Sequence, residues 1–191
     1  MALAAIEPVI DFWFGTPPVE QPRAEWFRKD AAFDEQIRAR FGSLVEEALN
    51  GGLRACDATP HGALARIVLL DQFTRNLFRG TARAFAGDAL ALAAAQAMVA
   101  RGDDRWLGGV MRTFVYLPFE HSEDAAMQAE SLRLFARLTA EYPALADAEV
   151  WAKKHEVIIA RFGRYPHRNE ALGRVSTAEE VAFLKEAGSS F

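Results

Sequence analysis

Apolar residues recur every three or four positions along nearly the whole chain, and no stretch alternates as a half-buried strand would, so an all-α fold is predicted. Pro8 suits the first turn of a short helix that Gly15 stops, and a second short helix carries Trp26 and Phe27. From Asp30 to Leu49, residues Phe33, Ile37, Phe41, Leu44 and Ala48 share one face, before Asn50-Gly-Gly52 ends the run. Thr59-Pro60 then pairs a cap with a first-turn proline, and the helix it opens should reach Arg79-Gly80. Gly87-Asp88 begins an alanine-rich helix to Ala100. Asp104 begins another, with Trp106, Val110 and Phe114 spaced by four, which Pro118 is expected to end. Ser122 starts a long helix to Tyr142, and Pro143 one to Phe162, which Gly163 and Pro166 stop. Overlapping capping boxes at Ser176-Thr-Ala-Glu179 and Thr177-Ala-Glu-Glu180 open a last helix ending at Gly188.

About eight helices with short connections predict antiparallel hairpins, arranged as a bundle or a short α-solenoid. Ala84-Phe85 followed by Ala89, Leu92 and Ala95 is similar to one helix of a tetratricopeptide hairpin, although no period of about 34 residues runs through the chain. No low-complexity segment, charge run or Pro/Ser-rich linker interrupts it, so residues 1–191 are expected to form one domain.

Two polar segments break the apolar pattern, Tyr116-Leu-Pro-Phe-Glu-His-Ser-Glu-Asp124 and Arg161-Phe-Gly-Arg-Tyr-Pro-His-Arg-Asn169. In the first, His121, Asp124, Gln128, Leu132 and Phe135 are spaced to share a helical face whose rear is apolar. Asp124 and Ser122 can serve simply as caps, and Glu120 and Glu123 as solvated acids; capping does not account for His121. His155 lies on the apolar stripe of Trp151, Ile159 and Phe162, where an imidazole must be neutral and hydrogen-bonded. The same helix delivers Arg161, Arg164, His167, Arg168 and Arg174 at or beyond its C-terminus, where the dipole favours cations. A third anomaly is the stripe Leu64, Val68, Asp71, Arg75, Phe78, whose middle members carry opposite charge and can pair. Gln72 and Asn76 repeat the spacing beside them.

Composition narrows the partners. At 51% hydrophobic and 25% charged residues the 191-residue chain is neither disordered nor membrane-embedded. A net charge of −4 gives no general attraction to nucleic acid or to an anionic membrane, so neither is expected as a partner. The N-terminus lacks the basic flank of a signal peptide, and a cytoplasmic protein is expected. The single cysteine, Cys56, allows no internal disulfide and reads as part of a helix exit rather than a nucleophile.

Phosphate-binding loops, dinucleotide fingerprints, nucleophile elbows and zinc-protease motifs are absent, and the cofactor is left unknown. His121, His155 and His167, with Glu120 or Asp124, offer metal-compatible ligand types without a tight ligand spacing. Three readings remain. In the leading one Arg164 and Arg168 hold a small anionic or zwitterionic ligand or peptide terminus, while Glu120 and Asp124 orient His121 or receive a cation. In the second, His121 or His167 is a general acid/base with Asp124 as its orienting carboxylate, in an enzyme that a metal could assist. In the third the acids and arginines only lock helices together.

Val9-Ile-Asp-Phe-Trp-Phe-Gly15, Leu69-Leu-Asp-Gln-Phe-Thr-Arg-Asn76, the two polar segments and Leu172-Gly-Arg-Val-Ser-Thr177, in that order, resemble the bacterial family catalogued as domain of unknown function 924. The resemblance spans nearly the whole chain, with Tyr165 where phenylalanine is expected. It implies an all-helical fold similar to tetratricopeptide-like superhelices and no established activity.

Overall fold

The computed structural model describes residues 2–15, 19 and 21–189, and among these there is no strand. The all-α expectation holds, and no helix is long and apolar enough to cross a membrane. The first helix, α1 (Ala2–Phe14), begins before Pro8, which sits inside it. One missing amide does not end a helix anchored by Ile6, Val9 and Trp13, all essentially inaccessible to solvent. A 3-10 turn (Ala24–Phe27) follows, in which the Trp26 indole donates to the Trp13 carbonyl at 2.8 Å. In α2 (Ala31–Leu49) the Asp30 carboxylate caps the amides of Ala32 and Phe33, and the buried stripe is Phe33, Ile37, Phe41, Val45 and Ala48. Val45 is buried where Leu44 was expected, because the stripe drifts around a helix of 3.6 residues per turn.

The next rod is composite. Thr59 caps α3 (Pro60–Ile67) by accepting from the Gly62 amide at 3.1 Å. A π-helical segment, Val68–Phe73, follows without interruption and passes into α4 (Thr74–Leu77). All six π residues are buried. Helix α5 (Asp88–Arg101) abuts this segment at Gly87, where a Cβ would lie 2.1 Å from the Leu70 carbonyl oxygen. Only glycine permits that approach, and it brings Asp88 against Arg75, in α4 just beyond the π segment.

Helix α6 (Gly109–Glu120) departs from expectation at both ends. Asp104 lies in a 3-10 turn (Asp103–Trp106) and accepts the Tyr116 hydroxyl at 2.6 Å, while Trp106 is 80% exposed rather than on the core face. Pro118 lies inside the helix. It withholds only the amide that would reach Phe114, and the ladder resumes with the His121 amide on the Leu117 carbonyl at 2.8 Å. Helices α7 (Ala125–Glu141) and α8 (Ala146–Phe162) pack beside α6, joined by short links that make each pair antiparallel. Gly163, at φ +66°, ends α8 in the left-handed conformation. The chain then crosses a 3-10 turn (Pro166–Arg168) to α9 (Ala178–Phe183), which the reciprocal Thr177–Glu180 capping box opens and which stops short of Gly188.

The main core runs from α1 through α8 and centres on Trp13, Trp26, Phe73 and Phe114, the last two packing edge-on to Trp13 at 5.3 and 5.8 Å. A smaller cluster of Ile158, Ile159 and Tyr165, with Phe162 and Phe183, fastens the C-terminal loop to α8.

Candidate functional site

The π segment presents Asp71 to the C-terminal end of α6. Its fully buried carboxylate takes His121 Nδ1 at 2.7 Å and the Gln72 side-chain amide at 2.6 Å, and Arg75 lies 3.3 Å away. Burial alone would raise this carboxyl. Arg75 and His121 outweigh it and hold Asp71 well below the usual carboxylate range. The ionised Asp71 therefore accepts from Nδ1–H, leaving Nε2 as the basic nitrogen of His121. Burial pushes the His121 imidazole below its ordinary value against the pull of Asp71, so the ring is neutral at pH 7.

Behind Asp71 lies a charge-balanced layer. Arg75 grips Asp88 with two bonds of 2.8 and 3.1 Å and donates to the Asp71 backbone carbonyl at 2.6 Å. Arg168 reaches the same Asp88 at 3.1 Å and lies between the Phe85 and Tyr165 rings, 4.7 and 4.6 Å from their centres.

Glu120 and His155 complete the cluster. Glu120 Oε1 is 3.1 Å from His155 Nδ1, which also lies 2.9 Å from the Trp151 carbonyl. A carbonyl only accepts, so Nδ1 bears the proton. Burial and the nearby Asp71 charge push the Glu120 carboxyl up to about 8, while burial and His121 push His155 down to about 3. The contact thus joins two neutral groups at pH 7 and is not an ion pair.

These side chains meet the inner end of a 660 Å³ cavity. Gln72, Glu120, His121 and His155 line it at depth; Val110, Phe114, Leu117 and Leu145 make apolar walls; and Arg28 and Lys29 lie exposed at the outer edge, near Trp151. Arg79 is there too, bound to Asp34 at 2.7 Å.

The model of the bacterial protein family of unknown function DUF924 matches residues 9–188. The chain belongs to this family. A solved structure of similar fold, the protein of unknown function ATU0120 from Agrobacterium tumefaciens, is 37% identical, with a TM-score of 0.87 over 98% of this chain and 100% of that one. No curated protein matches the chain.

In this family member the two polar segments of the sequence converge. Gln128 donates to the carbonyls of Glu120 and Ser122, each at 2.7 Å, and the Tyr165 hydroxyl donates to the same Glu120 carbonyl. The end of α6 is thereby held by α7 and by the C-terminal loop. The expected roles divide accordingly. Asp71, Arg75, Glu120, His121 and His155 come together. Asp124 does not face His121: it caps α7, accepting from the amides of Ala126 and Met127 at 2.7 and 3.1 Å, and Asp71 is the orienting carboxylate instead. Arg164 is bound to Glu180 at 2.6 and 2.8 Å, and Arg168 to Asp88, so neither lines the cavity as an anion clamp. His167 is likewise outside the lining; it lies against the Tyr165 ring at 5.6 Å, and burial lowers its imidazole to about 4. Among the described residues no three His, Cys, Asp or Glu side chains are placed to share a metal ion, and His121, proposed as a ligand with His155 and His167, has its Nδ1 on Asp71. Sequence reasoning missed Asp88 in the layer behind Asp71, and Arg28 and Lys29 at the cavity's edge. An acid in the first turn after glycine and a basic pair before a helix cap were the only local signals.

Proposed function

We propose that the protein binds a small amphipathic organic anion in this cavity, with the ligand's apolar body between α6 and α8, a hydrogen-bonding group at Glu120, His121 and His155, and its charge near Arg28 and Lys29. The observation that carries this reading is a 660 Å³ cavity with apolar walls, neutral titratable groups at depth and, at the outer edge, Lys29 and Arg28, the latter 3.7 Å from Asp30, with Asp147 as the one exposed acid among the described residues of the lining. That volume lies within the roughly 300–1,000 Å³ of small-molecule sites, whose walls are apolar and whose few polar groups orient the ligand. The chain's net charge of −4 makes a local pair of cations more selective for such a ligand than a uniformly basic surface.

Octanoate and anilinonaphthalene sulfonate serve as probes, with binding read by thermal protection and by displacement of the fluorophore. Replacing Arg28 and Lys29 together by glutamate should weaken octanoate by about tenfold or more, since each charge reversal of this kind is worth about 1 kcal/mol near a partly desolvated site. Ala148→Trp, on the half-buried cavity wall, should abolish binding while the fold persists. Unchanged octanoate affinity in both variants would remove the cavity as the site.

A further inference from the structure

From the placement of Glu120 and His121 we infer that the cavity is a proton-transfer site for an amphipathic carbonyl acid, with His121 as general base and Glu120 as general acid. This rests on the binding reading above and goes beyond it, because ligand retention alone does not need an oriented base beside a protonated acid. The two residues are consecutive, Glu120 closing α6 and His121 standing at its cap, and both line the inner end of the cavity. Their supports differ. The bond of 2.7 Å from His121 Nδ1 to Asp71 fixes the tautomer and leaves Nε2 to accept a proton. Among the described residues no Arg or Lys is paired with Glu120, and the neutral His155 lies 3.1 Å from it. Neighbouring groups pushed in opposite directions by their surroundings divide the acid and base roles between them. The carboxyl raised to about 8 retains a proton to give at pH 7.

The lining favours proton transfer over acyl transfer through the enzyme. Among the described residues of the lining Thr113 supplies the one hydroxyl, already donated to the Gly109 carbonyl at 3.3 Å, and there is no cysteine, serine or tyrosine. The balanced step is an enolisation. His121 Nε2 takes a proton from the carbon next to the carbonyl, and the C–H electron pair becomes a C=C bond. The C=O π pair moves to oxygen, which takes the Glu120 proton, giving an enol, an imidazolium and a carboxylate. Reversal returns one proton to carbon and one to Glu120, so no oxidant or further reactant is consumed. Asp71 is a positioning residue. Its charge keeps Nδ1 as the donor and stabilises the imidazolium that forms.

The test uses levulinate and its longer straight-chain methyl-ketone homologues in deuterium oxide, with NMR following deuterium at the carbons beside the ketone and thermal protection reporting binding. The parent should protect and exchange at least one homologue faster than Ala148→Trp does. With each variant saturated by the probe, His121→Gln and Glu120→Gln should each lose about a hundredfold or more of the exchange rate. Asp71→Asn should slow exchange and displace its pH profile, with the probe concentration at half-saturation unchanged. Thermal protection without exchange in the parent overturns the inference and leaves the binding reading standing; no protection by any homologue overturns both. Exchange surviving in His121→Gln and in Glu120→Gln also overturns it.

Discussion

The inner end of the cavity and the anchorage of the C-terminal loop use the same residue types to opposite ends. In the anchorage, Glu123 takes the Tyr165 amide at 2.8 Å and two bonds from Arg174 at 2.7 and 2.9 Å, and Glu180 takes Arg164, the Thr177 amide and Asn169. Hydrogen bonds from Arg164 foremost lower the Glu180 carboxyl to about 2. Both carboxyls are held below their ordinary value by donors from within the chain. At the cavity, Glu120 is held un-ionised and His155 and His121 are held neutral. In the anchorage Glu123 and Glu180 are charged and paired; at the cavity Glu120, His121 and His155 are kept from charging, at a cost to stability that folding alone does not require.

The sharpest way to break this contrast is to remove the layer on which the cavity's polar end stands. Asp88→Ala leaves Arg75 and Arg168 without their shared carboxylate, and should destabilise the fold by about 3–5 kcal/mol in denaturant titration, the usual consequence of stranding a buried charge. Glu180→Ala should cost about 2 kcal/mol through the lost capping box and the Arg164 bonds, with proteolysis between Gly163 and Thr177 as the local readout. An effect below about 0.5 kcal/mol would deny the anchorage its role in folding.

The third measurement is pH dependence. A carboxyl raised from an ordinary 4.5 to about 8 binds its proton more tightly in the folded chain, so its contribution is complete below 4.5 and lost as pH rises through 8. His155 and His167, lowered to about 3 and about 4, act in the other direction: their contributions are complete above the ordinary 6.5 and lost as pH falls through those values. Between 6.5 and 8 the Glu120 slope therefore stands alone among these groups. Unfolding free energy should fall there by at most about 1.4 kcal/mol per pH unit, and Glu120→Gln should flatten the fall. A parent profile equally flat in that window would place Glu120 among ordinary ionised acids.

The smallest effect is expected at His121. Its replacement by alanine leaves Asp71 with Gln72 and Arg75, so the unfolding free energy should change by about 1 kcal/mol or less. A loss near 3 kcal/mol would assign His121 to the same class as the loop anchorage.

The helices and several of their ends were legible because their causes are local. Asp30, Thr59 and the Thr177–Glu180 pair act on amides within three residues, and the stripe of Phe33, Ile37 and Phe41 shows itself by spacing alone. Asp71, Arg75 and Gln72 were also visible as polar intruders on an apolar helix. Their use was not. His121 meets Asp71 across 50 residues of sequence and Arg168 meets Asp88 across 80, distances over which one sequence carries no pairing signal. Assigning Asp124 to His121, and Arg164 with Arg168 to an anion, followed from proximity along the chain. In space those residues are occupied by the α7 amides, Glu180 and Asp88. Pro118 misled for a related reason, since whether a helix survives one lost amide depends on what packs around it.

The π-helical stretch Val68–Phe73 holds a surplus residue within this rod. Its bonds close i→i+5 rather than i→i+4, so it takes one residue more than an α-helix would over nearly the same arc and rise. Removing one of the six would let the backbone relax to regular α pitch with Arg75 still turned toward Asp88. Removing a residue from the α turns on either side would instead rotate everything that follows by about 100°. The rod's tolerance of a one-residue deletion is thus greatest where its helix is least regular.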